Sequence, residues 1–199
     1  MKADESDGHP RVSPTVTTPP AGYQVVSTLD LKADRRAAVT IQVGVAVTVA
    51  TAIALAFLLD LPLDSGWSGG VTAMVTVAAV VVYMVAHELT HGAALWALTR
   101  VRPTYAVRLP YLTTGSQALL TRRDAIIVAV APFLLWAVVL STLWLTLPQD
   151  ALLTVYVLMV PNVAGSVGDG VQAWAFGRLT PGTLVRDDGT KTTVFSPRA

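Results

Sequence analysis

The sequence predicts an all-α membrane protein with four transmembrane helices and short cytoplasmic β-hairpin elements. Three observations predict this fold class: an apolar composition, four long apolar segments, and basic residues that avoid two of the three loops between those segments. Of the 199 residues, 53% are hydrophobic and only 14% are charged. This balance is typical of a membrane protein rather than of a soluble domain.

Four apolar segments account for the excess of hydrophobic residues. Each exceeds the roughly 20 residues that a helix needs to cross the ~30 Å hydrocarbon core of a bilayer. A helix also satisfies its own backbone hydrogen bonds in lipid. The predicted spans cover about residues 37–59, 69–98, 125–147 and 151–176. We expect residues 22–176 to form one membrane domain, between a disordered tail at 1–21, rich in Pro, Ser and Thr, and a cytoplasmic tail at 177–199.

The basic residues predict the orientation of these spans. All fourteen Lys and Arg lie before the first span, between the second and third, or after the fourth. The other two loops contain none. By the positive-inside rule, both termini and the middle loop are therefore cytoplasmic. The lipid bilayer is the expected partner of such a chain, and the basic clusters set its topology rather than bind nucleic acid.

Short β-structure is expected outside the spans. In the middle loop, "TYAVRLPYL" and "SQALL" flank "TTG", which predicts a hairpin with its turn at residues 113–115. In the tail, Asp188-Gly189 lies between two β-prone arms and predicts a second hairpin over residues 183–195. The segment "GYQVVSTLDL" at 22–31 is either a short strand or a membrane-surface segment. For both hairpins the alternative is a solvated loop.

The second span contains the pattern "HELTH". On a helix, residues four apart lie on one face, so His87 and His91 can bind one metal ion. Two imidazoles, a third ligand and a water suit catalytic zinc, which is the predicted cofactor. At 3.6 residues per turn, Glu88 points about 100° away from His87 and can reach the water instead. Glu88 is therefore the predicted catalytic base for attack on a carbonyl.

A polar cluster that only packs helices is the alternative interpretation of this motif. The chain has three histidines and no cysteine, and two of the three histidines are in the motif. An ionised carboxylate in mid-membrane costs roughly 2.5–3.5 kcal/mol on insertion scales, so such residues are usually functional. We therefore favour the metal site.

The third ligand is predicted to be Asp169. His91 is nine residues before Arg100, and Asp169 is nine residues before Arg178. Both spans run in the same direction, and at 1.5 Å per residue each group lies about 13 Å from its basic boundary. The two groups can meet if their helices are neighbours. Asn162 shares a helix face with Asp169, and its amide could donate to a substrate carbonyl or a developing oxyanion.

These residues resemble the site-2 protease type of intramembrane metalloprotease. The likeness lies in "HELTH" in a membrane helix, followed by a loop and by "NVAGSVGDG" in a later helix, although the family commonly has prolines in the second segment. The resemblance implies two histidines and a distal aspartate on zinc, a glutamate base, and an asparagine that helps to hold substrate. In this chain those residues are His87, His91, Asp169, Glu88 and Asn162.

A second resemblance covers most of the chain from about Gly22. Small bacterial membrane proteins described as zincin peptidases have a lead similar to "GYQVV…DL", the His-Glu motif in the second span, a mid-chain loop and a late "GD". Together with the predicted spans and orientation, this resemblance implies a multi-pass protein of the bacterial inner (plasma) membrane, with both termini inside.

The predicted function is that of a zinc-dependent intramembrane endopeptidase acting on membrane-protein or peptide substrates near the cytoplasmic face. The strand-like segment "TYAVRLPYL" is a candidate edge for binding an extended substrate. One alternative is a proteolytically inactive zinc-binding membrane protein that docks or regulates partner helices. A metal or ion transporter is a third hypothesis, which ligands at several levels would favour, whereas the sequence indicates one level. The sequence does not separate the first two hypotheses.

Overall fold

The computed structural model describes residues 17–29, 34–108 and 111–198. Over these residues the chain forms four helices: α1 (Arg35–Leu58), α2 (Gly69–Thr99), α3 (Arg122–Thr146) and α4 (Gln149–Gly177). Each helix is long and apolar enough to cross a membrane. The four predicted spans are confirmed as helices, and their ends differ by three residues or fewer. Most of the tail predicted to be disordered lies outside the described residues.

The outer surface of the helices is apolar. Large apolar side chains are exposed along the length of α1, among them Val43, Val47, Ile53 and Phe57. Soluble proteins rarely expose apolar surface on this scale, whereas a lipid-facing helix requires it. The helices therefore indicate a multi-pass membrane protein.

Local capping explains where two of the helices begin. The carboxylate of Asp34 accepts hydrogen bonds from the backbone N–H groups of Arg36 and Ala37 at the start of α1. Thr121 accepts from the N–H of Asp124 at the start of α3 and donates its hydroxyl proton to the Asp124 carboxylate. These side chains satisfy N–H groups that lack partners within the helix.

Helix α4 contacts each of the other three helices. A side chain at Gly44 of α1 would lie 2.7 Å from Val167 of α4, so the glycine allows these two helices to approach closely. The hydroxyls of Thr76 in α2 and Thr154 in α4 form a hydrogen bond of 2.8 Å. This packing holds α4 beside α2, as the predicted metal site requires.

Four strands form an antiparallel sheet in the order β1-β6-β5-β4. They are β1 (Tyr23–Leu29), β4 (Leu120–Thr121), β5 (Leu184–Asp187) and β6 (Thr192–Pro197). Of the two alternatives for the segment that starts at Gly22, the structure has the strand, and the hairpin predicted in the tail is confirmed. Because these strands adjoin the start of α1, the start of α3 and the end of α4, all three helix ends lie on one side of the protein.

The middle loop forms a separate hairpin of β2 (Thr104–Arg108) and β3 (Tyr111–Gly115). The hairpin predicted in this loop exists, but the predicted turn at residues 113–115 is wrong, because these residues belong to β3 and pair with β2. Thr113 and Thr114 are β-branched and favour a strand. The segment "SQALL" does not form the second arm either, since Leu120 begins β4 and pairs with Val185.

Candidate metal centre

His87 and His91 of α2 and Asp169 of α4 meet between the two helices. One possible ligand atom from each residue lies within 4.8 Å of the other two. The Nε2 atom of His87 is 3.4 Å from Oδ2 of Asp169, and Nε2 of His91 is 3.6 Å from Oδ1. The structure thus brings together the three residues that the sequence suggested as metal ligands. Their side chains are mostly buried, with 12% of each histidine and 21% of the aspartate exposed.

The chemistry of these donors fits a bound cation. Nδ1 of His91 lies 2.9 Å from the backbone carbonyl of Val128. A carbonyl only accepts hydrogen bonds, so Nδ1 carries a proton. In the neutral ring Nε2 then presents a lone pair towards Asp169. A lone pair facing a carboxylate is unfavourable unless a proton on Nε2 or a metal cation lies between them. Neutral imidazole and carboxylate are both ligands of zinc, so the residues present fit this metal.

Glu88 lies beside the cluster rather than within it. Its Oε2 atom accepts a hydrogen bond of 2.8 Å from the hydroxyl of Thr114 in β3. The same hydroxyl is 3.0 Å from the backbone carbonyl of Glu88. The hairpin therefore contacts α2 at the motif and orients the Glu88 carboxylate. Sequence reasoning missed Thr114, because no spacing rule relates a loop residue to a helix 26 positions away.

A cavity of about 600 Å³ adjoins the cluster, with Glu88, His91 and Asp169 in its wall. This volume is within the range of roughly 300–1,000 Å³ that is common for ligand pockets. The other walls come from α1, α3, α4, the strands β3 to β5 and the segment that joins β5 to β6. They include Ile41, Gln42, Leu112, Thr113, Val128, Gly165, Gly168, Gln172, Asp187 and Thr190. The candidate base and two of the candidate ligands therefore line the same cavity.

The tail hairpin closes one side of this cavity. The carboxylate of Asp187 accepts hydrogen bonds from the amide of Gln172 at 2.6 Å and from the N–H of Gly189 at 2.9 Å. Its backbone carbonyl accepts from the N–H of Ser116 at 2.7 Å. A side chain at Gly189 would lie 3.4 Å from the nitrogen of Gly115 at the end of β3. The segment joining β5 and β6 is thus fixed to both α4 and the middle loop.

Asn162 lies behind His87, away from the carboxylate of Asp169. Its side chain is buried, and its Oδ1 atom accepts a hydrogen bond of 2.9 Å from the hydroxyl of Tyr83. Nδ2 lies 3.4 Å from the carbonyl of Phe133. The Tyr83 oxygen is also 3.0 Å from Nδ1 of His87. The predicted contact of Asn162 with substrate stays a prediction. Sequence reasoning missed Tyr83, although its position four residues before His87 places it on the ligand face.

Tyr105 of β2 packs over Gly92, at a position of α2 where a side chain would collide with the phenol. Burial raises the pKa of Tyr105, and the negative charge of Glu88 raises it further. The phenol therefore stays protonated at neutral pH. Glycine at this position lets the hairpin lie directly on α2, at the residue that follows the motif.

One family model matches residues 80–182, just over half of the chain, and its description is "Putative zincin peptidase". The matched segment contains the His-Glu motif, the β2–β3 hairpin and Asp169. Helix α1 and the strands β1, β5 and β6 lie outside it. No curated protein and no solved structure matches the chain.

Proposed function

The chain belongs to this zincin peptidase family, and from that premise we propose that it is a zinc-dependent endopeptidase that cleaves membrane-protein substrates near the cytoplasmic face of the bilayer. The family implies zinc and peptidase chemistry. The observation that carries the proposal is the cluster of His87, His91 and Asp169 beside the cavity, with His91, Asp169 and Glu88 in the cavity wall.

His87, His91 and Asp169 would hold the metal in this reaction. Three protein ligands leave a position for water or substrate, which is usual for catalytic zinc. When bound, zinc supplies a Lewis acid that polarises the substrate carbonyl and makes water a better nucleophile.

Glu88 transfers a proton from the attacking water to the leaving nitrogen. Thr114 donates to one oxygen of its carboxylate, which leaves the second oxygen able to accept a proton from the attacking water. The remaining hydroxide adds to the carbonyl carbon of the scissile bond. Glu88 then returns the proton to the leaving nitrogen as the C–N bond breaks. Water is consumed, and the products are a carboxylic acid and an amine.

The substrate has to be extended, because a helix hides its carbonyls in internal hydrogen bonds. We place it along β3, which lines the cavity through Leu112, Thr113 and Thr114. Strand β2 pairs with one edge of β3, and addition of a peptide to the other edge would supply main-chain hydrogen bonds beside Glu88. Such pairing depends little on substrate side chains, so we expect loose sequence specificity.

The Glu88→Gln substitution tests the proposed activity. Glutamine keeps the size of the side chain and can still accept from Thr114, but it does not take up a proton at neutral pH. Full-length protein in liposomes should cleave a panel of fluorescently labelled single-span peptides, and the variant should be roughly 10²–10⁴-fold slower. Zinc content, measured by mass spectrometry of the metal, should be the same in both.

Two outcomes would contradict the proposal. Equal cleavage by wild type and variant would mean that Glu88 is not the base. Zinc in both proteins with cleavage by neither would support the other hypothesis, a zinc-binding membrane protein that docks partner helices.

A further inference from the structure

Each candidate zinc-binding histidine has a hydrogen-bond acceptor at Nδ1, the ring nitrogen that faces away from the metal position. One of these acceptors is available because of a proline. Pro132 lies inside α3 and is fully buried. In a regular α-helix the N–H of residue 132 would bond to the carbonyl of residue 128. Proline has no N–H, so it removes this bond. The carbonyl of Val128 accepts instead from Nδ1 of His91, at 2.9 Å.

The acceptor for Nδ1 of His87 is the hydroxyl oxygen of Tyr83, and Asn162 orients this hydroxyl. The amide nitrogen of Asn162 faces the carbonyl of Phe133, which fixes the orientation of the amide and turns Oδ1 towards Tyr83. Because this oxygen only accepts, the single hydroxyl proton of Tyr83 points at Asn162. The Tyr83 oxygen must then accept from Nδ1 of His87, at 3.0 Å.

We infer that Pro132, Tyr83 and Asn162 are positioning residues, which hold both imidazoles with Nδ1 protonated and Nε2 directed at the metal position. The inference rests on the metal centre proposed above. It assigns Asn162 to the orientation of His87, through Tyr83, rather than to contact with substrate. None of the three residues contacts the metal position directly. Each acts through a histidine that does.

A metal site in a membrane needs these hydrogen-bond acceptors for a physical reason. In the bilayer there is no bulk water to satisfy an imidazole N–H, so each N–H requires a protein acceptor. An acceptor in a fixed place also selects one tautomer and one ring orientation before the metal binds. Loss of an acceptor behind a ligating histidine typically weakens metal affinity by about 10- to 100-fold.

Pro132→Ala is the sharpest test, because it should stabilise helix α3 and weaken zinc binding. Alanine restores an N–H that competes with His91 for the Val128 carbonyl. An interior proline costs a helix about 3 kcal/mol relative to alanine, so thermal stability of the metal-free variant should not fall. The zinc dissociation constant of the full chain in detergent, measured by chelator competition, should rise about tenfold. Pro161→Ala in α4 is the matched control, and its zinc affinity should equal that of wild type.

Tyr83→Phe tests the second support by removing one hydroxyl. We expect zinc binding to weaken about tenfold, and the absorption bands of the Co²⁺-loaded protein to shift, because the ring of His87 is less constrained. Adding Asn162→Leu to this variant should cause little further loss, since both residues act through one chain of hydrogen bonds. Thr76→Val removes a different hydrogen bond between α2 and α4 and should leave zinc affinity and the Co²⁺ bands unchanged.

Three results would contradict different parts of this inference. Wild-type protein that binds no zinc would overturn the metal centre itself. Wild-type zinc affinity in both Pro132→Ala and Tyr83→Phe would overturn the positioning role while leaving the metal centre intact. An Asn162→Leu single variant with normal zinc affinity and Co²⁺ bands, but slower peptide cleavage, would overturn its positioning role and support substrate contact instead.

Discussion

At the scale of single residues, the candidate site combines one helical motif with one distant acid. His87 and His91 are on the same face of α2 because they are four residues apart. Asp169 reaches them from α4, 82 positions after His87. The two imidazoles approach different oxygens of the same carboxylate, so this aspartate completes a three-residue donor set.

Asp169→Ala should therefore abolish high-affinity zinc binding. Without Asp169 the site keeps only two protein ligands, both imidazoles, whereas catalytic zinc sites usually have three protein ligands. Zinc content after dialysis against a mild chelator should fall from about one per chain to near zero.

Asp187→Asn is the control for this measurement. Asp187 lines the same cavity but is not part of the cluster, so its loss of charge should leave zinc content unchanged. Full zinc content in Asp169→Ala would remove this residue from the site.

At the scale of secondary-structure elements, the β2–β3 hairpin connects the metal centre to the cavity. Strand β3 contacts α2, orients Glu88 through Thr114 and lines the cavity. Strand β2 contacts α2 through Tyr105, but its residues 104–107 do not line the cavity. Val107 of β2 is 72% exposed. If the edge of β3 holds substrate, the two strands differ in function although they pair residue for residue.

Proline substitutions at Val107 and Leu112 can test this difference, because these two residues are register partners in the hairpin. Leu112→Pro removes a backbone donor from the strand that lines the cavity, and most peptide cleavage should be lost while zinc binding remains. Val107→Pro makes the equivalent change in β2 and should retain much more activity. The opposite order would place the substrate on β2, and wild-type rates in both variants would show that the hairpin is only a linker.

At the scale of the whole molecule, both sheets lie at one end of the helical bundle. The four-stranded sheet joins segments that adjoin α1, α3 and α4, and β2–β3 follows the end of α2. The basic residues belong to the same segments. At the other end, the loops are tied together by a hydrogen bond of 2.7 Å from the N–H of Gly66 to the carboxylate of Asp150. The positive-inside rule predicts that the sheet end of the bundle faces the cytoplasm.

Cysteine labelling tests this orientation in a chain that has no cysteine of its own. Single cysteines at Asp64 and Gln149 should react with a membrane-impermeant maleimide in intact cells, because both positions are exposed at the end of the bundle that has no basic residues. A cysteine at Gln117, exposed beside the sheets, should react only after the cells are permeabilised. The reverse labelling pattern would contradict the proposed orientation.

Much of this architecture is encoded in local sequence. The four spans follow from apolar length, the tail hairpin from Asp188-Gly189, and the depth of His91 and Asp169 from their distance to the basic boundary. These features depend on one segment at a time, so composition and helix geometry are sufficient to predict them.

The tertiary structure decided what surrounds the ligands. The rotation of each helix about its own axis determines that Asn162 faces Tyr83 and that the carbonyl of Val128 faces His91. Register determines that Thr114 lies in a strand and reaches Glu88. These contacts join residues that are far apart in sequence, and they depend on how several elements pack at once. Apolar periodicity is weak in helices whose outer faces contact lipid, so it does not specify helix rotation in a membrane as it does in a soluble bundle.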